Sequence, residues 1–300
     1  MNDKILEFFN ENRELLNKPF AQIDWYEIYK RAFEFGFRGP TSPISLAKFT
    51  EELFDLFSQD RILEGLTFIP PHFLEGSHNT SVVTIPNNIT GIGDRAFASS
   101  YIEQVNIPDS VNDLGFGTFQ ENKGIKEITL PDNIKMIKGQ CFYFSNLERI
   151  KLPSNLETIA HSAFTYTNLT NINFPKTLTA ISDRAFSSCE KLKEVDIPES
   201  LIYLGGYAFN NCSHLTNVII REGLEEIGLA AFSYCFNLNE LSLPHSIKNL
   251  RNNCFQDCGD ITIYYNGTKE EWKKIYKPGA FKGTYFVCEC IDGQVIKKRK

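Results

Sequence analysis

Apolar side chains recur along this chain at intervals of 22 or 23 residues. The clearest marker is a phenylalanine, which stands at positions 97, 119, 142, 164, 186, 209, 232 and 255. Proline keeps the same phase at positions 86, 108, 131, 153, 175, 198 and 244, and Arg221 stands where an eighth proline would fall. Two ladders in phase indicate tandem copies of one structural unit, of which we count eight.

Within each unit, apolar and polar residues alternate just before the proline. Val195, Asp196 and Ile197 precede Pro198 in this way. Such alternation is typical of a short strand with one buried face, and proline ends the strand because it has no N–H to donate. One unit cannot bury its apolar face alone, whereas stacked copies can. The pattern therefore predicts a solenoid of eight coils with a stack of phenylalanine rings inside it.

Four consecutive units carry a cysteine three residues after the phenylalanine, at Cys189, Cys212, Cys235 and Cys258. Metal sites usually draw on close cysteine pairs, whereas these thiols stand one per unit. We therefore expect a column of buried, reduced thiols that fills a tight turn. A zinc site and disulfides between units are the alternatives.

One unit shows the whole repeat in order, with Leu192, Val195, Ile197, Pro198, Leu201, Leu204, Gly205, Ala208, Phe209 and Cys212. This order resembles the BspA-type leucine-rich repeat, over about residues 80–265. The segment after the last repeat also looks like this family's usual ending, from Tyr264 to Gly293. The resemblance implies an α+β repeat solenoid that is curved and right-handed. It also implies a binding role, since many members are described as surface adhesins or host-contacting proteins.

Residues 1–75 lack the repeat and show helical spacing instead. Apolar positions predict helices near residues 5–16, 25–36 and 46–58. We expect a small all-α N-terminal domain that either caps the raw end of the solenoid or docks onto a partner or assembly.

The repeats of residues 76–265 are followed by a segment, residues 266–300, that predicts a helix and a β-hairpin. Thr268 and Glu271 form a capping-box pattern that opens a helix to about Tyr276. Residues 284–291 and 294–296 flank an Asp292-Gly293 turn, which indicates a β-hairpin. We expect this segment to cap the other end of the solenoid and to finish in a basic tail.

Composition narrows the classes of partner and compartment. The net charge of −6 argues against general nucleic-acid binding, which requires a basic surface. No apolar run approaches the roughly 20 residues that span a bilayer. Acidic residues at positions 3, 7, 11 and 14 make the start unlike a signal peptide. We expect a cytoplasmic chain or a component of a virion or other assembly, with surface display only by a non-standard export route.

No motif in the sequence indicates catalysis, a cofactor or a metal. The five histidines are scattered without ligand spacing, and neither a glycine-rich phosphate loop nor a nucleophile elbow is present. Cys288 and Cys290 lie two residues apart on the predicted hairpin, and we expect them to pack there. The sequence therefore predicts a protein that is not an enzyme and that has no cofactor.

The outward positions of the strands are the first candidates for a binding surface. The outward residue between two buried strand positions is Asn106, Thr129, Lys151, Asn173, Asp196, Ile219 or Ser242. A flanking column contains Gln104, Glu127, Arg149, Asn171, Glu194, Asn217 and Glu240. Both columns are polar and mixed in charge, without the Trp, Tyr and Arg clusters typical of binding hot spots.

Aromatic residues in the turn after the phenylalanine are the second candidate. They stand at Tyr143, Phe144, Tyr166, Tyr234 and Phe236. These side chains form an exposed surface in one interpretation. In the other, Phe144 and Tyr166 fill, in the shorter units, the space that cysteine fills in the longer ones.

These features predict a non-enzymatic interaction protein whose leucine-rich-repeat surface contacts a protein or a glycan, in the manner of an adhesin or receptor-binding protein. The alternative is a structural component of a larger assembly, such as a phage virion or a secretion machine, anchored through the helical N-terminus.

Overall fold

The computed structural model describes Glu11 and residues 67–69, 71–78 and 80–297 of the chain. The helices predicted within residues 1–58 lie outside the described residues, apart from Glu11, so the N-terminal helical domain stays a prediction. The described chain begins in the solenoid, where β1 (Phe68–Ile69) pairs in parallel with β3 (Gly91–Ile92).

Most coils contribute two short strands, and equivalent strands of neighbouring coils pair in parallel. The first strand series comprises β2 (Val82–Thr84), β4 (Gln104–Asn106), β6 (Glu127–Thr129), β8 (Arg149–Lys151), β11 (Glu194–Ile197), β13 (Asn217–Ile220), β15 (Glu240–Leu243) and β17 (Ile261–Tyr265). The second strand series comprises β1, β3, β5 (Asp113–Leu114), β7 (Met136–Ile137), β9 (Thr158–Ile159), β10 (Ala180–Ile181), β12 (Tyr203–Leu204), β14 (Glu226–Ile227) and β16 (Asn249–Leu250). The sequence predicted the first series, and the second is an addition from the structure.

A column of phenylalanine rings runs through the core from Phe97 to Phe281. Neighbouring ring centroids lie 5.0–5.5 Å apart, and the ring planes lie within 22° of parallel. All of these rings are fully buried. The ring spacing is close to the roughly 4.8 Å between paired strands, so rings and strands stack in step. Burial of each ring contributes about 1.5–3 kcal/mol, and the predicted stack is confirmed.

The solenoid has about ten turns, so the prediction of eight was too low. Leu74 takes the phenylalanine position in the first coil, where its N–H donates to the carbonyl oxygen of Ala96 at 2.6 Å. Phe281 takes it in the last coil, with its ring 5.1 Å from that of Phe255. Both positions fell outside the sequence pattern, because leucine replaces the aromatic residue in one and the step lengthens to 26 residues in the other.

The turns around the rings from Phe97 to Phe255 each use two residues with positive φ, one two positions before the ring and one two positions after it. Around Phe164 these are Ser162 (φ 54°) and Tyr166 (φ 60°). The turn lets the N–H of Phe164 donate to the carbonyl oxygen of Ala185 in the next coil at 2.7 Å. Left-handed residues other than glycine cost about 1–2 kcal/mol each, which the ladder and the buried ring offset.

The predicted thiol column is buried in this turn. Each thiol donates to the carbonyl oxygen of the ring residue one coil earlier, as Cys189 does to Phe164 at 3.1 Å and Cys212 to Phe186 at 3.3 Å. Burial raises the pKa of the Cys189 thiol to about 12. All eight cysteines are free. The position therefore favours a small side chain that can donate a hydrogen bond.

The C-terminal segment closes the stack. Helix α1 (Lys269–Ile275) follows the N-cap residue Thr268, which forms the predicted capping box with Glu271. A short 3-10 helix follows at Pro278–Phe281. Strand β18 (Phe286–Cys290) then pairs in parallel with β17, and β19 (Gly293–Lys297) pairs antiparallel with β18. The predicted helix and hairpin are confirmed. The reversal of strand direction at β19 ends the run of parallel strands.

We predict that Phe209→Ala lowers the free energy of unfolding by about 3–5 kcal/mol, because it removes one buried ring from a continuous stack. Phe236→Ala is the matched control, since 55% of that side chain is exposed; the expected loss is under about 1 kcal/mol. Urea unfolding followed by circular dichroism measures both. Equal losses would contradict a core that depends on the stack.

We also predict that Cys189, Cys212 and Cys235 resist alkylation in the native protein and react only after unfolding, because the thiolate is the reactive form. Cys290 is half-buried and should be labelled first. Cys212→Ala should cost about 1 kcal/mol, the net value of one hydrogen bond. Mass spectrometry after timed iodoacetamide treatment checks the order. Stoichiometric zinc that is released on thiol modification would refute the packing role.

Candidate ligand-binding surface

The outward residues of the first strand series line one side of the solenoid, as predicted. Strands such as β4 and β6 expose their first and third residues and bury the second. The candidates Asn106, Thr129, Lys151, Asn173 and Asp196 are all exposed. Of the remaining candidates, Arg149 and Glu194 are exposed and Ser242 is half-buried. The structure thus gives these positions access to solvent, while their role in binding stays a prediction.

Several candidates are engaged with residues of neighbouring coils. Arg149 pairs with Glu127 at 2.8 Å, and Asp196 pairs with Arg221 at 2.6 Å. Arg221 stands where the other repeats have a proline. The arginine at this position adds an ion pair between two neighbouring coils. Exposed pairs of this kind contribute only about 0–1 kcal/mol, so they fix side-chain positions more than they stabilise the fold.

A groove of about 1120 Å³ runs over the first strand series between β4 and β6. It brings together three of the candidates, Asn106, Thr129 and Lys151, with Tyr101 at the rim. Ionisable side chains of both signs line it, four carboxylates and three ammonium groups: Glu103, Asp109, Glu127, Asp132, Lys123, Lys126 and Lys151. Asn173, Asp196 and Ser242 lie outside this groove.

The groove coincides with a break in both strand series. Strand β4 pairs with β2, and β6 pairs with β8, but within the described residues no ladder joins β4 to β6 or β5 to β7. On the turn side the same two coils stay bonded, because the N–H of Phe119 donates to the carbonyl oxygen of Cys141 at 2.7 Å. The coils are therefore joined along the phenylalanine column, while their strands lie side by side without a hydrogen-bond ladder.

The aromatic candidates of the turn form two separate groups. Tyr143, Phe144 and Tyr166 contact one another with ring centroids 5.5–6.2 Å apart. Tyr234 lies apart from them, 6.1 Å from Phe236.

These groups decide between the two interpretations of the turn. Phe144 and Tyr166 are about half exposed, so they do not fill the thiol position. Ser145 and Thr167 fill it, and Thr167 lies within hydrogen-bonding distance of Cys189 at 3.2 Å. The interpretation of Phe144 and Tyr166 as substitutes for cysteine was wrong. Phe144 and Tyr166 take positive φ two residues after the ring. The residue that follows each of them, Ser145 or Thr167, occupies the buried position.

A second recess, of about 600 Å³, lies on the other strand series and was not foreseen from the sequence. Its lining includes Ile202, Tyr203 and Leu229, which are 76%, 52% and 43% exposed. The sequence feature that could have revealed this recess is an apolar residue at an outward position next to a strand, such as Ile202 before β12. It was missed because the second strand series was not recognised.

Within the described residues, no group of three His, Cys, Asp or Glu side chains is placed to hold a metal ion. Cys288 and Cys290 lie with their sulfur atoms 3.7 Å apart and are not bonded to each other. His245 lies with its Nε2 atom 3.0 Å from a carboxylate oxygen of Glu271, on the exposed surface near α1.

The repeat identifies the family. The model of the BspA type leucine rich repeat region matches residues 56–167 and 137–262 with six copies. These residues make up more than half of the chain, so the chain belongs to the BspA-type leucine-rich repeat family. Among the curated proteins no sequence matches the chain.

Solved structures of leucine-rich repeat proteins resemble this one. A leucine-rich repeat protein from Bacteroides ovatus is 25% identical with a TM-score of 0.55, over 75% of this chain and 70% of that one. The T. pallidum leucine rich repeat protein is 24% identical with a TM-score of 0.44, over 66% of this chain and 77% of that one. The pneumococcal vaccine antigen PcpA is 18% identical with a TM-score of 0.42, over 73% and 80%. The Bacteroides ovatus protein shares the solenoid fold.

No helix in the described part of the chain is both long enough and apolar enough to cross a membrane.

We predict that Tyr166→Ala changes the free energy of unfolding by less than about 0.5 kcal/mol, because half of the side chain is already in solvent. Thr167→Val keeps the volume of a buried residue but removes its hydrogen bond to Cys189, and should cost about 1 kcal/mol. Parallel urea titrations give the order of the two losses. A larger loss of unfolding free energy for Tyr166→Ala than for Thr167→Val would contradict the assignment of the Tyr166 ring to the surface.

Proposed function

We propose that this protein is a non-enzymatic interaction module that binds a protein or a glycan on its first strand series. The groove between β4 and β6 carries the proposal, because it gathers amide, hydroxyl and charged side chains on a rigid, repeated scaffold. Its volume of about 1120 Å³ exceeds the roughly 300–1,000 Å³ of small-molecule sites and suits part of a larger ligand.

The physical basis of the proposal is pre-organisation. The outward side chains are held by strands whose inward neighbours are buried, so little conformational entropy is lost when a ligand binds. Asn106 illustrates this. Its side-chain NH2 group donates to the hydroxyl of Thr84 at 3.1 Å, and its side-chain oxygen accepts from the side-chain NH2 group of Gln104 at 2.9 Å. The adhesin-like role belongs to the same proposal.

The groove variant Asn106→Ala/Thr129→Ala/Lys151→Ala tests this function. Its control is Glu190→Ala/Lys191→Ala/Lys193→Ala, three exposed residues outside the groove and outside both candidate columns. Immobilised intact chain is used to recover binding proteins, which mass spectrometry identifies, and is applied in parallel to a glycan array. We expect the groove variant to weaken the recovered interaction about tenfold or more, and the control to leave it nearly unchanged. An interaction lost equally in both variants, or in neither, refutes the groove as the site.

The alternative role, a structural component of a larger assembly, rests on the aromatic helices predicted at residues 1–58, outside the described residues. Deletion of residues 1–60 distinguishes the two. An anchored component would stay folded and leave its complex, whereas a protein that binds through the groove would keep its ligand.

A further inference from the structure

Two cysteine thiols lie side by side in the C-terminal hairpin. Cys288 and Cys290 stand two residues apart on β18, so their side chains are on the same face of the strand. Their sulfur atoms are 3.7 Å apart and are not bonded to each other. Cys288 is fully buried, and Cys290 is half-buried. The strand therefore holds a pair of sulfur atoms that solvent reaches from the side of Cys290.

This pair differs from the thiol column of the solenoid. Thiols of the column donate to carbonyl oxygens of ring residues, as Cys235 does to Phe209 at 3.2 Å and Cys258 to Phe232 at 3.0 Å. Within the described residues, the thiols of Cys288 and Cys290 form a hydrogen bond with each other and none with a carbonyl group. The column thiols are thus engaged as donors to the backbone, whereas both sulfur atoms of the pair are available to a ligand.

The facing strand leaves access to the pair. In the antiparallel register of β18 with β19, Val295 stands opposite Cys288 and Gly293 stands opposite Cys290. Gly293 has a φ of 122°, which residues with a Cβ rarely adopt. The Nζ atom of Lys269 lies 3.2 Å from the place that a Cβ of Gly293 would take. Cys290 therefore faces a residue without a side chain, beside the end of a flexible lysine.

The number and type of ligands indicate the class of ion. Thiolate sulfur is a soft ligand that selects Cu(I), zinc or an iron–sulfur cluster. Zinc sites take three or four protein ligands, and an iron–sulfur cluster takes four. Within the described residues, no third His, Cys, Asp or Glu side chain completes such a set. Cu(I) can be held by two thiolates alone, so it is the ion that suits this pair.

The geometry and the charge are compatible with an ion between the two sulfur atoms. Metal–thiolate bonds of about 2.3 Å, the value for zinc, join sulfur atoms 3.7 Å apart at close to the tetrahedral angle. Rotation of the half-buried Cys290 side chain can widen this angle. Binding of Cu(I) releases both thiol protons and transfers no electron, so the bound pair carries one negative charge. The ammonium group of Lys269 offsets that charge from beside Gly293.

We propose that Cys288 and Cys290 bind one Cu(I) ion through their two sulfur atoms at the end of β18. The site does not involve the groove between β4 and β6 and does not depend on the ligand proposed for that groove. Burial raises the pKa of both thiols. The pair therefore stays protonated until the ion displaces its protons.

The test is a titration of the full chain with Cu(I), without oxygen and in competition with the coloured chelator bicinchoninate. Cys290→Ser removes one sulfur atom of the pair. Cys258→Ser is the matched control, because Cys258 is also half-buried but belongs to the thiol column. Thermal melts followed by circular dichroism show whether each variant is folded.

We expect the wild-type chain to bind one Cu(I) ion. Loss of an outer partner costs a metal site about 10–100-fold in affinity, so loss of a direct ligand in Cys290→Ser should cost more than about 100-fold. Cys258→Ser should leave the affinity unchanged. Equal affinities in the two variants would mean that copper binds to thiols in general and would overturn the proposal. A wild-type chain that leaves all Cu(I) with the chelator would overturn it as well.

X-ray absorption at the copper edge gives an independent test that does not depend on the folding of a variant. The wild-type chain loaded with one equivalent of Cu(I) should show two sulfur neighbours around the copper and no nitrogen or oxygen neighbour. A third sulfur neighbour, or a nitrogen neighbour, would contradict a site made of Cys288 and Cys290 alone.

Discussion

The structure depends on the contact between the core ring of one coil and the core ring of the next. A single coil has an apolar side chain in its turn and apolar residues on its strands, but no interior of its own in which to bury them. Only a neighbouring coil at strand spacing provides that interior, and rings at centroid distances of 5.0–5.5 Å meet the requirement. Strand pairing and turn geometry follow from the need to repeat this contact.

The turn shows how strongly the stack constrains the chain. Two residues per turn take positive φ so that the N–H of the ring residue can reach the next coil. The third residue after the ring then points inward beside carbonyl oxygens. A thiol at Cys212, or a hydroxyl at Thr167 or Thr284, fits there and bonds to a neighbouring coil. The residue before it, such as Phe144, is left in solvent whatever its polarity.

The same arrangement allows the strand ladder to be interrupted without loss of the stack, between β4 and β6 and again at residues 170–174. Between β4 and β6 the strands do not pair, yet the rings of Phe119 and Phe142 remain stacked at 5.2 Å with planes 8° apart. The stacked rings can therefore hold two coils together even where the strands of those coils form no ladder. A surface feature can form where a ladder is interrupted, while the buried column keeps the two neighbouring coils aligned.

The sequence by itself determined the repeat, the buried ring of each coil, the outward columns and the capping box at Thr268, because each of these depends on a short local pattern repeated at a fixed interval. It did not identify Leu74 and Phe281 as the ends of the column, since these residues are defined by which coil they contact. The exposure of Tyr166 and the burial of Thr167 depend on a backbone conformation, which residue type alone does not specify. The groove that gathers Asn106, Thr129 and Lys151, and the missing ladder beneath it, were decided only in the tertiary structure. Whether two strands form a ladder depends on how neighbouring coils are placed against each other, which no single repeat encodes.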